Sequence, residues 1–322
     1  MNIGNLQIHG PAALAPMAGV ADRAMRELCV EFGAAFVVGE MVSAKGLCMN
    51  DRKSAELLTL SQTERPAAVQ LFGDDPEIMS KSIVKVLPFT PDAIDLNMGC
   101  PAPKIVNGGA GSALMKRPEL AARIVAECVK QTTLPVTVKM RTGWDAQSIN
   151  CRELAVLCER AGTAALTVHG RFRQQMYAPP VDYDAIRGVK DAVGIPVIAN
   201  GDVTDGKSAA AVYDKTRCDL VMVGRGALGR PWVFREINAY LKDGTVLPEP
   251  SVKEKMAVML RHVRLLCAYK GDYIGMLEAR KHAAWYMKGL RGAGKYRRDI
   301  VTMTRLEQLE DIAERVVRDA GE

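Results

Sequence analysis

Short runs of apolar and β-branched residues recur along the chain, at 13–17, 36–41, 67–72, 93–97, 136–140, 165–169, 197–200 and 220–223. Near-continuous apolar character over so few residues suits a strand buried on both faces, as in a parallel sheet sheathed by helices. Between these runs lie stretches with helical spacing, at 22–32, 76–86, 118–131, 146–161, 182–193 and 204–216. Several open on Asp or Thr and close near Gly or Pro, as helix ends do. The segment 43–50, after the second run, has little clear period. The series predicts an α/β protein built as a closed (β/α)8 TIM barrel. An open doubly wound sheet would show fewer strands and a single glycine-rich first turn.

After residue 241 the pattern changes. Lys242-Asp243-Gly244-Thr245 and Pro248-Glu249-Pro250 break the chain, and 252–320 is helical in period with no convincing strand. We therefore expect two units: residues 1–243 as the barrel, and residues 244–322 as a small helical domain packed against it.

Composition changes this picture little. Hydrophobic residues make up 48% and charged residues 25% of the 322, the balance of an ordinary globular protein. No apolar run reaches the length of about 18 residues that a membrane span needs, and no basic segment precedes the first strand to make a signal peptide. The eight cysteines include no Cys-x-x-Cys pair and sit mostly in apolar segments, where a thiol packs as a small hydrophobe. These features lead to the expectation of a reduced, cytoplasmic, monomeric protein without a metal site and without membrane contact.

Charge is more informative. The net charge is only +6, yet residues 251–300 hold twelve Lys and Arg against four Asp and Glu. That surplus suits a nucleic-acid partner, and 291–298, with Arg291, Lys295, Arg297 and Arg298 around Tyr296, suits phosphate contact and base stacking.

Candidate chemistry gathers at the predicted strand ends, where barrels place it. Gln70, Asn97, Lys139, Arg141, His169, Asn200 and Arg225 all fall there, and mere capping of the barrel mouth explains so many polar residues poorly. The last two strands run into Asn200-Gly201-Asp202 and Gly224-Arg225-Gly226. Glycine lets backbone N–H groups approach an oxyanion, and Arg225 adds a guanidinium fork, so a phosphorylated ligand is expected. Lys139 stands in an otherwise apolar strand and needs an anionic partner, either a reduced flavin or a nearby carboxylate.

Asp95-Leu96-Asn97-Met98-Gly99-Cys100-Pro101 is the most specific segment. With Ala15-Pro16-Met17-Ala18-Gly19, Gln70, Lys139-Met140-Arg141, His169-Gly170-Arg171, Asn200-Gly201-Asp202, Gly224-Arg225-Gly226, Arg280-Lys281-His282 and Trp285-Tyr286, it resembles the bacterial tRNA-dihydrouridine synthase family, the B-type enzymes most. The resemblance covers essentially the whole chain. It implies an FMN held by Pro16, Met17, Ala18, Gln70, Lys139, His169, Asn200, Gly201, Asp202, Gly224 and Arg225. It further implies NADPH, or NADH, as reductant and tRNA as substrate. Cys100 would supply a proton to uracil C5 while Asn97 and Arg141 hold the uracil edge or its developing charge. The loop 108–111 would give the Cys100 loop freedom to close. Two other functions compete: a flavin oxidoreductase acting on a free pyrimidine, against which the basic segment counts, and an RNA-binding module without catalysis, against which the intact Lys139 and Cys100 count.

Overall fold

The computed structural model describes residues 1–322. Eight strands, β1 (Ala12–Leu14), β2 (Phe36–Ser43), β3 (Ala67–Phe72), β4 (Ala93–Met98), β5 (Val136–Arg141), β6 (Ala165–His169), β7 (Val197–Asn200) and β8 (Leu220–Val223), pair in parallel and close into a barrel. Closure is made by β8 on β1, with Val221 opposite Ala12 and Val223 opposite Leu14. A short hairpin, Asn2–Ile3 with Leu6–Gln7, precedes β1. Its Ile3, with Ile8, is fully buried in one cluster with Ala13, Phe36, Ala68, Ala93, Ala165, Ile198 and Leu220.

Helices follow the strands in order: α1 (Arg23–Glu31), α2 (Ala44–Cys48), α3 (Arg52–Glu56), α4 (Pro76–Val86), α5 (Pro103–Val106), α6 (Pro118–Val129), α7 (Cys151–Arg160), α8 (Tyr183–Lys190), α9 (Gly206–Thr216) and α10 (Val233–Asp243). Several of their starts are fixed by side chains that satisfy otherwise orphaned backbone donors. Asp22 accepts from Met25 N at 3.0 Å ahead of α1, and Asp205 and Ser208 form a reciprocal capping box at α9. On β5, Val136, Val138 and Met140 belong to the same buried cluster as Ile124 of α6 and Leu154 of α7. Because side chains alternate along a strand, Thr137, Lys139 and Arg141 face the barrel interior.

Three sequence expectations shift. The first strand ends at Leu14 rather than residue 17; the ladder runs on as far as Ala15 N, which donates to Val223 O at 2.8 Å, and Pro16 then has no N–H to offer. The helix expected from 146 starts only at Cys151, because Asp145 Oδ1 accepts from Gln147 N at 3.1 Å and Ser148 Oγ at 2.7 Å and holds a turn there. The weakly periodic stretch after β2 forms two short helices, capped by Ser43 and Asp51.

Beyond Gly244, whose left-handed φ of +79° ends α10, the chain forms α11 (Val252–Lys270), α12 (Asp272–Tyr286), α13 (Ala293–Thr302) and α14 (Leu306–Ala320). Met259, Val263, Met276, Ala283, Tyr296, Ile300, Ile312 and Val316 bury one another in a separate cluster, and this cluster takes in Ala24 and Trp232 from the barrel side. Backbone meets backbone at Gly229, in the loop after β8. A Cβ there would stand 2.5 Å from the Trp285 carbonyl carbon, and its φ of +65° is left-handed.

Candidate active site

The polar residues at the C-terminal ends of the strands form three hydrogen-bonded groups: one around Gln70, Asp95, Asn97 and Arg141, a second of Lys139 with Asn200, and a third of His169, Arg171, Asp202 and Arg225. Gln70 Nε2 donates to Asp95 Oδ2 at 2.6 Å, and Gln70 Oε1 accepts from Asn97 Nδ2 at 2.8 Å. Asn97 Oδ1 in turn accepts from the backbone N of Gly99 at 3.1 Å and of Cys100 at 2.9 Å. Asn97 therefore builds the turn that presents Cys100, a use of this side chain that the sequence does not announce. Gln70 keeps one N–H and one lone pair for a ligand.

The Cys100 turn is held from two further sides. Arg141 Nε donates to Gly99 O at 2.9 Å, and Ser112 donates to Cys100 O through its N at 3.0 Å and its Oγ at 2.9 Å. A Cβ on Gly111 would meet Cys100 O at 2.8 Å, so glycine is required there by close approach. Loop freedom, the sequence-based reason for these glycines, is not how Gly111 acts here. Arg141 is buried and also donates from Nη1 to Phe172 O at 3.1 Å and Met176 O at 2.8 Å, leaving Nη2 uncommitted.

Lys139 lies across from Asn97 in the β4–β5 register. Its hydrogen bond goes to a neutral acceptor, Asn200 Oδ1 at 3.1 Å, and Asn200 Nδ2 is anchored on Met222 O at 2.8 Å. No salt bridge is made. The nearby carboxylate, Asp95, is already engaged by Gln70 and Thr137. Burial, reinforced by the Arg141 charge, pulls the Lys139 ammonium down to about 8. His169 is held neutral by burial and then by Lys139, Arg141, Arg171 and Arg225 around it. Of the two partners that the sequence allows for Lys139, a carboxylate is not hydrogen-bonded to it.

The two glycine-bearing strand ends press together. A Cβ on Gly226 would stand 2.3 Å from Val203 O, and Met17 Sδ would be 3.9 Å from a Cβ on Gly224, so the loops after β1, β7 and β8 converge. Asp202, with a left-handed φ of +48°, binds Arg171 through Nη1 at 3.1 Å and Nη2 at 2.6 Å, and Arg225 Nη2 at 3.2 Å. Its carboxylate thus sets two guanidinium groups in place, and hydrogen bonding to Arg171 holds it below the usual carboxylate range. Arg225 also lies over the Tyr177 ring at 4.6 Å. Sequence reasoning missed Tyr177: it sits in a loop between β6 and α8, where no periodicity marks it.

In the tail, Arg291, Lys295, Arg297 and Arg298 are all exposed, but Tyr296 is buried and its hydroxyl is bonded to Asp319. Stacking by Tyr296 is thereby excluded: on α13 it shares with Ile300 the i, i+4 face turned to the domain core.

Fold and site together define a parallel (β/α)8 barrel whose mouth carries a half-buried lysine without a salt-bridge partner, two converging glycine loops and a thiol on a fixed turn. A family model described as dihydrouridine synthase matches residues 13–320, and the chain belongs to that family. It is 42% identical over 314 residues to tRNA-dihydrouridine synthase B of Vibrio vulnificus, covering 96% of this chain and 98% of that one. It is 42% identical over 298 residues to the probable tRNA-dihydrouridine synthase of Rickettsia bellii, covering 92% and 91%. Among solved structures, morphinone reductase in complex with tetrahydroNAD superposes with a TM-score of 0.52 at 11% identity, covering 78% of this chain and 91% of that one. The 6-hydroxypseudooxynicotine amine oxidase of Pseudomonas geniculata N1 gives 0.59 at 13%, covering 76% of this chain; the chain spans 49% of its length. At such identities the likeness shows the fold alone. No helix is long and apolar enough to cross a membrane.

Proposed function

We propose that this chain is an FMN-dependent tRNA-dihydrouridine synthase, using NADPH or NADH as reductant. The observation that carries the reading is the pairing, at one barrel mouth, of a half-buried lysine, which has no salt-bridge partner, with a thiol fixed on the adjacent strand's turn. The residues fit the cofactor: Lys139 offers its ammonium to the anionic pyrimidine edge of a flavin, and Gln70 offers one donor and one acceptor. The loops at Asn200, Gly201 and Asp202 and at Gly224 and Arg225 would take its phosphate, and Pro16, Met17 and Ala18 would hold the cofactor from the loop after β1. His169, held neutral, contributes a hydrogen bond without adding to the cationic charge.

When bound, FMN supplies the hydride that uracil accepts at C6. The Cys100 thiol gives its proton to C5, held in place by Asn97, Gly111 and Ser112. The free Nη2 of Arg141 balances negative charge that develops on the uracil carbonyl. Residues 244–322 form the tRNA-binding unit, with Arg291, Lys295, Arg297 and Arg298 against phosphates. A base inside folded tRNA reaches the mouth by extrusion from its stack.

The test mixes anaerobically reduced protein with tRNA lacking dihydrouridine, and in parallel with free uridine and orotate. Flavin reoxidation with dihydrouridine formation in tRNA alone is the expected result. Oxidation by a free pyrimidine and not by tRNA would overturn the proposal.

A further inference from the structure

Beneath the loop that leads from β1 into α1, three buried side chains converge that the chemistry above does not use. Asp22 caps α1 through Oδ1, which accepts from Met25 N at 3.0 Å. Its other oxygen, Oδ2, has no hydrogen-bonding partner; nor do Nε2 of His262 on α11 and Nε2 of His282 on α12. All three residues are at most 3% exposed. Their ligand atoms lie within 4.8 Å of one another, and Asp22 Oδ2 stands 3.4 Å from His282 Nε2.

Leaving such buried atoms unpaired forfeits their hydration without return. A proton shared between Asp22 and His282 would settle two of them and leave His262 Nε2 bare; one cation among them settles all three. The spacing suits this, because ligands about 2.0–2.1 Å from a tetrahedral ion lie about 3.4 Å apart. Asp22 and His282 already have that separation, and His262 needs to close by about an ångström. His262 Nδ1 lies 3.2 Å from Tyr286 Oη, the kind of outer contact that fixes an imidazole so that Nε2 faces a metal. The expectation of a metal-free protein rested on cysteine spacing and did not weigh histidines brought together by folding.

We propose that Asp22, His262 and His282 bind one divalent transition-metal ion, zinc being the best match to two imidazoles and a carboxylate. The ion joins the start of α1 to α11 and α12 and so ties the helical domain to the barrel just behind the loop holding Pro16, Met17 and Ala18. Its role is structural, since Cys100 and Lys139 belong to a different constellation.

The experiment uses untagged, flavin-loaded protein expressed in zinc-supplemented medium. Elemental analysis is expected to find about one zinc per chain, and X-ray absorption at the zinc edge to find nitrogen and oxygen ligands at about 2.0–2.1 Å without sulfur. Asp22→Asn, His262→Gln and His282→Gln should each lose at least nine-tenths of the zinc while keeping FMN, which reports that the barrel has folded. If a variant fails to fold, wild-type protein stripped by chelator during reversible partial unfolding is compared with and without added zinc. A higher unfolding midpoint with zinc supports the site. Substoichiometric metal in the wild type, zinc retained by the His262→Gln/His282→Gln double variant, sulfur in the zinc shell, or a midpoint indifferent to zinc would each overturn it.

Discussion

Replacing Lys139 by Met should stabilise the flavin-free protein while crippling its grip on FMN. Methionine keeps an unbranched chain of similar length and removes the charge. In the folded apo-protein the ammonium is depressed from 10.5 to about 8, which at about 1.4 kcal/mol per unit is about 3 kcal/mol of unfavourable burial. The substitution relieves that penalty and loses the hydrogen bond to Asn200, worth about 1 kcal/mol, so a net gain of about 2 kcal/mol is expected at pH 7. The sign follows from proton binding. With the folded value below the unfolded one, the unfolded chain holds more protons between pH 8 and 10.5, so the wild type gains stability as pH rises through that window. The advantage of Lys139→Met is thus full below pH 8 and fades above it. FMN affinity should fall by a factor of about 100 or more, as for removal of one member of a buried charge pair. Urea unfolding of the stripped proteins from pH 7 to 10 measures the first effect, and quenching of FMN fluorescence the second. An apo-variant less stable than wild type, or unchanged FMN affinity, would refute the view that Lys139 is held in waiting for an anion.

Other outcomes are expected at separate points of the structure. Cys100→Ala should retain FMN and its reduction by NADPH but slow uracil reduction by about 100- to 10,000-fold, followed as dihydrouridine formed in a single turnover; a wild-type rate would place the proton donor elsewhere. Charge reversal at Arg291, Lys295, Arg297 and Arg298 should weaken tRNA binding and flatten its salt dependence by about 0.7 to 0.9 in slope per lost phosphate contact, with flavin content intact; unchanged affinity at moderate salt would remove this surface from the tRNA interface. Trp232→Ala, at the seam of barrel and helices, should cost about 3–5 kcal/mol in chemical unfolding. Glu64→Ala leaves Arg26 without its buried partner and should cost a similar amount, whereas a loss under 1 kcal/mol would mean that the carbonyls of Ala21 and Thr59 suffice for Arg26.

The barrel was legible because each strand is a compact apolar run and the stretches between them keep helical spacing. What escaped was set by contacts between distant residues. Nothing local to Asn97 reveals that its amide braces Cys100, and nothing around residues 108–111 tells a hinge from a glycine pressed against a carbonyl. Tyr296, set among arginines, reads as a stacking platform until the helix phase turns it inward. Asp202 lies in the loop after β7, next to Gly201, and its pairing with Arg171 depends on β6 and β7 lying side by side. Asp22, His262 and His282 are far apart in the chain and share no spacing motif.

At Gly229 the backbone of the loop after β8 touches the backbone of α12 with no room for a methyl group. A joint of that kind transmits length. If RNA is held by Arg291, Lys295, Arg297 and Arg298 as proposed, this joint is part of what sets its distance from the Cys100 thiol, as the pivot of a caliper sets its jaws. A side chain at position 229 would wedge the jaws apart, and on that proposed reading the expected effect is a change in which nucleotide is offered rather than in how fast it reacts.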